Sequence, residues 1–214
     1  IHIIDLNKTI SKLEEACRSL KQIAKSGKKI LFVATKKQAK SIVAESAKSL
    51  NMPYITERWP GGLLTNFSTI RKSIKKMNSI DTMKEDGTFD TLSKREKLQI
   101  ERTREKLELN FGSIENMNRI PEAIFVVDIN KEHIAVAEAN KLGMRSYAMV
   151  DTNTNPKLVD FPIPANDDST KSISKIMQII SEAIAEGLSE RSKTIEEKAK
   201  IKQEKAKEIL NKDN

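Results

Sequence analysis

The chain has 214 residues, of which 38% are hydrophobic and 32% charged, enough apolar content for a folded core and too much for wholesale disorder. A single cysteine excludes an internal disulfide framework and any zinc site built from several cysteines. The 38 basic side chains against 30 acidic ones, net +8, suit a polyanionic partner, although lysine used for solubility gives the same total.

No run of residues approaches the roughly 18 consecutive apolar positions of a spanning helix, and Ile1 to Asp5 lack the order of a signal peptide. A soluble, intracellular protein in a reducing compartment is expected, with no membrane partner. The charge is unevenly spread: residues 1–65 carry net +7, 66–119 net +3, 120–187 net −4 and 188–214 net +2. Such a split predicts one face for a polyanion and another for a basic partner or solvent.

In chain order, the first predicted element is a helix capped by Asp5, with Ile10, Leu13, Cys17, Leu20 and Ala24 along one stripe and Gly27 as the stop. A buried strand follows over residues 30–34. A helix over 35–50 then turns Ala39, Ile42, Val43 and Ala47 inward. Pro53 leads into a short strand over 54–57. After an interruption come a strand over 123–127, a helix over 130–142 ended by Gly143, a strand over 146–150 and an extended piece over 161–164. The next helix is capped within residues 166–169 and places Ile173, Ile176, Met177, Ile180 and Ile184 on one face. Strands alternating with helices at this spacing predict a parallel sheet covered on both sides, an α/β fold.

Residues 66–119 break that alternation, with no proline and many Lys, Glu, Arg and Leu. Two long helices fit: one carrying Ile70, Ile74, Met77 and Ile80, the other Leu98, Leu107, Phe111 and Ile114, joined at residues 84–87. An antiparallel hairpin projecting from the sheet domain is the expectation. The division is then a discontinuous α/β/α domain of residues 1–65 and 120–187, a hairpin of 66–119 and a charged helical tail of 188–214.

Little in the chain reads as catalytic. The loop after the first strand, Thr35-Lys36-Lys37-Gln38, lacks the glycines with which dinucleotide and P-loop sites receive phosphate. Lys36 and Lys37 at a helix start read as ligands of a nucleic-acid backbone or as ordinary exposed residues. Arg58-Trp59-Pro60-Gly61-Gly62-Leu63-Leu64-Thr65-Asn66 holds the one tryptophan; Arg58 suits a phosphate, the glycines allow close backbone approach, and Trp59 either stacks on a base or plugs the base of the hairpin. Arg71, Lys72, Lys75 and Lys76 extend a basic stripe into the hairpin. His2 and His133 have no nucleophile motif around them. Asp160, Asp167 and Asp168 cluster before the last helix, where caps are favoured over metal ligands.

These segments resemble a known family. In order, residues 1–6, 32–39, 58–66, 121–128, 150–153 and 161–168 are similar to the signature blocks of the S-two family, the second protein of the bacterial small ribosomal subunit. The resemblance runs to about Gly187. It implies a flavodoxin-like three-layer domain with a protruding coiled-coil hairpin and no enzymatic activity. It further implies binding to small-subunit ribosomal RNA and a role in docking ribosomal protein S-one. Family members usually begin with a further segment whose basic and aromatic residues touch RNA. The chain opens at Ile1, so part of the natural N-terminus is expected to be absent from it.

The reading is therefore a structural, cytoplasmic ribosomal protein whose partners are small-subunit RNA and neighbouring ribosomal proteins. Lys36, Lys37, Arg58, Trp59, Gly61, Gly62, Thr65, Asn66, Arg71, Lys72, Lys75 and Lys76 are expected to contact RNA or shape that contact; Asp160, Asp167 and Asp168 are expected to face a protein partner. No catalytic residue, cofactor, metal or small-molecule substrate is expected. Two other classes remain open on residues alone. One is a nucleotide- or metal-dependent enzyme using Asp128 and Asp151 at strand ends; the other is a coiled-coil protein scaffold with no salt-sensitive RNA affinity.

Overall fold

The computed structural model describes residues 2–210, with side chains to residue 196. Five strands, β1 (Ile30–Val33), β2 (Tyr54–Ile55), β3 (Ala123–Val127), β4 (Arg145–Val150) and β5 (Phe161–Pro164), form one sheet in the order β2-β1-β3-β4-β5. Every pairing is parallel. This is the flavodoxin-like order, in which the chain reverses its direction of travel between β1 and β3.

Both faces of the sheet are buried, which is why β1 and β3 read as unbroken apolar runs. The side-chain period of two divides those runs between two cores. Phe32, Phe125, Tyr147 and Ile163 point to one face, where they meet α1 (Leu6–Lys25), α2 (Lys40–Ser49) and α6 (Thr170–Leu210). Leu31, Val33, Ile124 and Val126 point to the other, covered by α5 (His133–Lys141), the base of α3 (Phe67–Glu85) and the Trp59–Leu64 loop.

Asp5 caps α1 through the Asn7 amide, as its position predicts. The inward stripe of α1 is rotated from expectation: Ile10 is exposed, whereas Leu13, Ala16, Leu20, Ile23 and Ala24 are buried. Thr9 turns to the sheet instead, its hydroxyl donating to the Pro164 carbonyl at 2.6 Å. Cys17 packs half-buried against the core, and burial, aided by Glu14, pushes its thiol up to about 11. Helix α6 runs unbroken for 41 residues, roughly 60 Å at 1.5 Å per residue. The tail expected as a separate helix from residue 188 thus continues α6; its last four residues, 211–214, lie outside those described. α1 and α6 approach so closely that a Cβ at Gly187 would collide with the Lys21 carbonyl.

Residues 66–119 form α3 and α4 (Lys94–Phe111), packed together. Asp81 pairs with Arg104, and Lys84 with Glu101, so the two helices run antiparallel. Ile70, Ile74, Met77 and Ile80 are buried on α3 as expected, but α4 buries no side chain and Leu98 is exposed. A two-helix layer has only one internal face, and α3 supplies most of it. A capping box between Ser93 and Glu96 starts α4.

Candidate nucleic-acid interface

The carboxyl edge of the sheet collects the loops that follow β1 to β5, and it is where ligands of such folds bind. At the reversal point, Lys36 follows β1 and Asp128 follows β3. The Lys36 ammonium lies 2.6 Å from Asp167, 2.6 Å from Asp168 and 3.3 Å from Asp128. Burial pulls its proton affinity down, but hydrogen bonds to Asp167 and Asp168 outweigh that and hold it above the ordinary lysine value. Asp167, 2% exposed, is held above the usual carboxylate range first by burial and then by neighbouring Asp128 and Asp151, despite the Lys36 hydrogen bond.

Two groups of expected site residues therefore meet. Lys36, expected on RNA, and Asp167 and Asp168, expected on a protein partner, neutralise one another. α2 starts at Lys40, not Thr35, and Lys36 opens a turn whose carbonyl accepts from the Ala39 and Lys40 amides. The expected role of Asp167 and Asp168 as caps is corrected likewise. Asn166 closes the turn into α6, accepting from the Asp168 and Ser169 amides at 2.9 Å.

The oxygens of Asp151, Asp167 and Asp168 lie within 4.8 Å of one another and are the described residues best placed to hold a cation. The Lys36 ammonium already pairs with two of them, Asp167 and Asp168. With acidic groups in excess over one lysine, this crevice repels the phosphate that a nucleotide enzyme would receive here.

The β2 end of the same edge differs in character. Trp59, 7% exposed, is packed into the second core. Its indole N–H donates to Glu138 Oε1 at 3.0 Å. Glu138 also accepts from the amides of Gly62 at 2.7 Å, Leu64 at 3.0 Å and Thr65 at 3.1 Å, and from the Thr65 hydroxyl at 3.2 Å. Burial raises the Glu138 carboxyl, but the bond from Trp59 and those from three amides leave it below the ordinary glutamate value. Gly62 has φ of 84°, a left-handed conformation that favours glycine; Gly61 is exposed with open space beside it.

Around this fixed loop the cations are free. Lys37, Arg58, Lys72, Lys75 and Lys76 are exposed, and none pairs with a carboxylate among the described residues. Lys72, Lys75 and Lys76 sit at i, i+3 and i+4 on α3 and share a face. Arg71 instead turns inward, donating to the Met117 carbonyl at 3.3 Å. Asn66 makes no side-chain cap bond to the α3 backbone; its Oδ1 accepts from the Thr69 hydroxyl at 2.9 Å.

Asp160 is not part of the acidic crevice. It precedes β5 whereas Asp167 follows it, so the four-residue strand separates them by about 13 Å. Its carboxylate holds β4, accepting from the Ser146 amide at 2.9 Å and hydroxyl at 3.0 Å.

Two functional-looking groups escaped the sequence reading, Glu132 and Glu138. Glu132 is 3% exposed and accepts from the Thr35 amide at 2.9 Å and from the Thr35 hydroxyl. Glu132 stands at the N-cap just before α5, whereas Glu138 lies on the buried face of α5 with Ala135 and Ala139, and a glutamate on an apolar stripe is the signal that marks Glu138.

A family model described as ribosomal protein S2 matches residues 1–187. The chain belongs to the ribosomal protein S2 family. A relative from Flavobacterium johnsoniae, small ribosomal subunit protein uS2, is 65% identical over 191 residues, covering 89% of this chain and 75% of its own length. Proteins of the same name from Phocaeicola vulgatus and Bacteroides thetaiotaomicron are 64% and 61% identical over 191 residues, covering 68% and 69% of their lengths. Family membership makes the chain a structural protein and removes the enzyme reading of Asp128 and Asp151.

Proposed function

We propose that the chain binds small-subunit ribosomal RNA through the β2 end of the carboxyl edge and the adjoining face of α3, with Lys37, Arg58, Lys72, Lys75 and Lys76 meeting phosphates. As a family member it is a structural constituent of the small ribosomal subunit, in the cytoplasmic ribosome. Gly61, Gly62, Thr65 and Asn66 form the backbone surface between those cations, and Trp59 shapes it from beneath. The observation that carries the reading is the segregation of charge along one edge. Unpaired cations stand beyond β1 and β2, at Lys37 and Arg58, and on α3, and carboxylates stand beyond β4 and β5.

The acidic end has the wrong sign for RNA. It is assigned to a protein neighbour, for which the resemblance implies ribosomal protein S-one. Asp168 is the group best placed to reach it, with 70% of its side chain exposed. Lys36 acts in this reading as an internal tie that joins the loop after β1 to those after β3 and β5.

RNA binding releases counterions in proportion to the phosphates neutralised, and each is worth about 0.7 to 0.9 in the slope of log affinity against log salt. Replacing Lys72, Lys75 and Lys76 together by alanine should flatten that slope by about 2 to 3 on small-subunit RNA. An unchanged slope with folded protein would remove α3 from the interface.

A further inference from the structure

A carboxylate offers about four acceptor positions, and Glu138 receives five donors, all from Trp59, Gly62, Leu64 and Thr65. It is 8% exposed, so its atoms do not reach a ligand on the surface. Removing such a charge from water is costly before compensation. An apolar side chain filling the same space would hold the core without that cost. What an apolar side chain cannot do is fix three backbone amides and an indole in one arrangement. The segment concerned is one that needs fixing, because two adjacent glycines give it more unfolded freedom than any other pair would.

We propose that Glu138 is a positioning residue for RNA binding, acting as an internal anchor that holds the Trp59–Thr65 loop in its binding-competent form before RNA arrives. This rests on the RNA reading above and deepens it: the specificity of the β2 end lies in a preformed backbone surface whose shape is set from inside the protein. A preformed loop leaves less to be ordered on association. Because the anchor does not touch RNA, losing it lowers the fraction of molecules able to bind and so slows association. Dissociation and the number of phosphates engaged stay as they are.

The test is Glu138→Gln, which keeps the volume but turns an amide toward donors that need an acceptor. Trp59 is the chain's one tryptophan, so its emission reports the loop without a label. Binding to full-length small-subunit RNA is measured by stopped flow and at several salt concentrations, for wild type, Glu138→Gln and Ile180→Val. Ile180 lies in the core on the opposite face of the sheet and controls for general loss of stability. If the variant loop is competent about one-tenth of the time, its apparent Kd rises about tenfold. That rise should fall on the association rate, with red-shifted Trp59 emission, an unchanged salt slope and no such change in Ile180→Val. Should Glu138→Gln fail to fold, Glu138→Asp, which keeps the charge but withdraws it by one methylene, is read by the same criteria. A Glu138 variant that is folded, shifts Trp59 emission and still binds as wild type does overturns the proposal. So does an equal loss in Ile180→Val. Wild-type protein that does not bind the RNA would instead refute the RNA reading itself.

Discussion

Replacing Lys36 by methionine separates a lysine that ties the fold together from one that meets phosphate. Methionine keeps most of the apolar stem and deletes the ammonium, leaving Asp167 and Asp128 without their counter-charge. The Lys36 and Asp128 side chains are each 14% exposed and Asp167 4%, whereas Asp168 is 70% exposed. Removing one partner of a buried pair costs about 3 to 5 kcal/mol, and an exposed arm such as Asp168 adds at most about 1 kcal/mol. Because the crevice opens partly to water, the expected cost is shifted about 1 kcal/mol below that range, to about 2 to 4 kcal/mol. For a chain of this size that lowers the melting temperature by about 4 to 16 °C.

The loss depends on pH with a definite sign. Asp167 binds its proton more tightly folded than unfolded, so as pH rises through the interval above its ordinary value of 3.8, the folded state loses stability. Removing Lys36 enlarges that effect. The deficit of Lys36→Met is therefore largest at neutral pH and shrinks as pH falls toward that interval, and adding Asp167→Asn recovers part of it. The assays are thermal melts across pH and RNA affinity across salt. Lys36→Met should leave the salt slope as in wild type, while Lys37→Ala lowers it by about 1. A variant that melts with wild type and loses about one unit of slope would refute the tie.

Trp59→Ala should cost about 3 to 5 kcal/mol of stability through the cavity it leaves, read as a lower denaturant midpoint; a variant of unchanged stability with weakened RNA affinity would mean that the ring stacks on RNA. Glu190, hydrogen-bonded to Lys21 and Lys25, has its carboxyl held down to about 2, so it favours the folded state above pH 4.5 and that support fades as pH falls toward 2. Acid titration of Glu190→Gln by circular dichroism should show a shallower loss over that interval than wild type. Gly187→Ala should push α6 off α1 at a cost of about 1 to 3 kcal/mol, seen as a lower melting temperature; an unchanged melt would contradict the close approach.

The sheet was legible because burial on both faces leaves β1, β3 and β4 as short apolar runs between helical periods. Parallel order then follows from the alternation. α4 was harder, since its pattern suggested an inward stripe that a two-helix layer has no second face to bury. Continuity of α6 past Gly187 was not legible, because the apolar period ends there while the helix does not. The family resemblance pointed to segments that mostly lie at the carboxyl ends of the strands, but charge alone misassigned the surroundings of Lys36 and Asp160. Lys36 reads as a free cation until the fold brings β5's loop beside β1's, and Asp160 reads as a neighbour of Asp167 until a parallel strand sets them at opposite edges. Glu138 was passed over because a helical glutamate suggests solvent, although its register with Ala135 and Ala139 placed it inward.

The central claim is that the chain is a ribosomal constituent held to small-subunit RNA by the cations at the β2 end. Sedimentation of the full chain with small subunits through a sucrose gradient at moderate salt tests it most directly. Wild type should travel with the subunits and leave them as salt is raised, and the Lys72, Lys75 and Lys76 triple variant should leave at lower salt. Folded wild-type protein that stays at the top of the gradient, or a triple variant retained to the same salt as wild type, would contradict it.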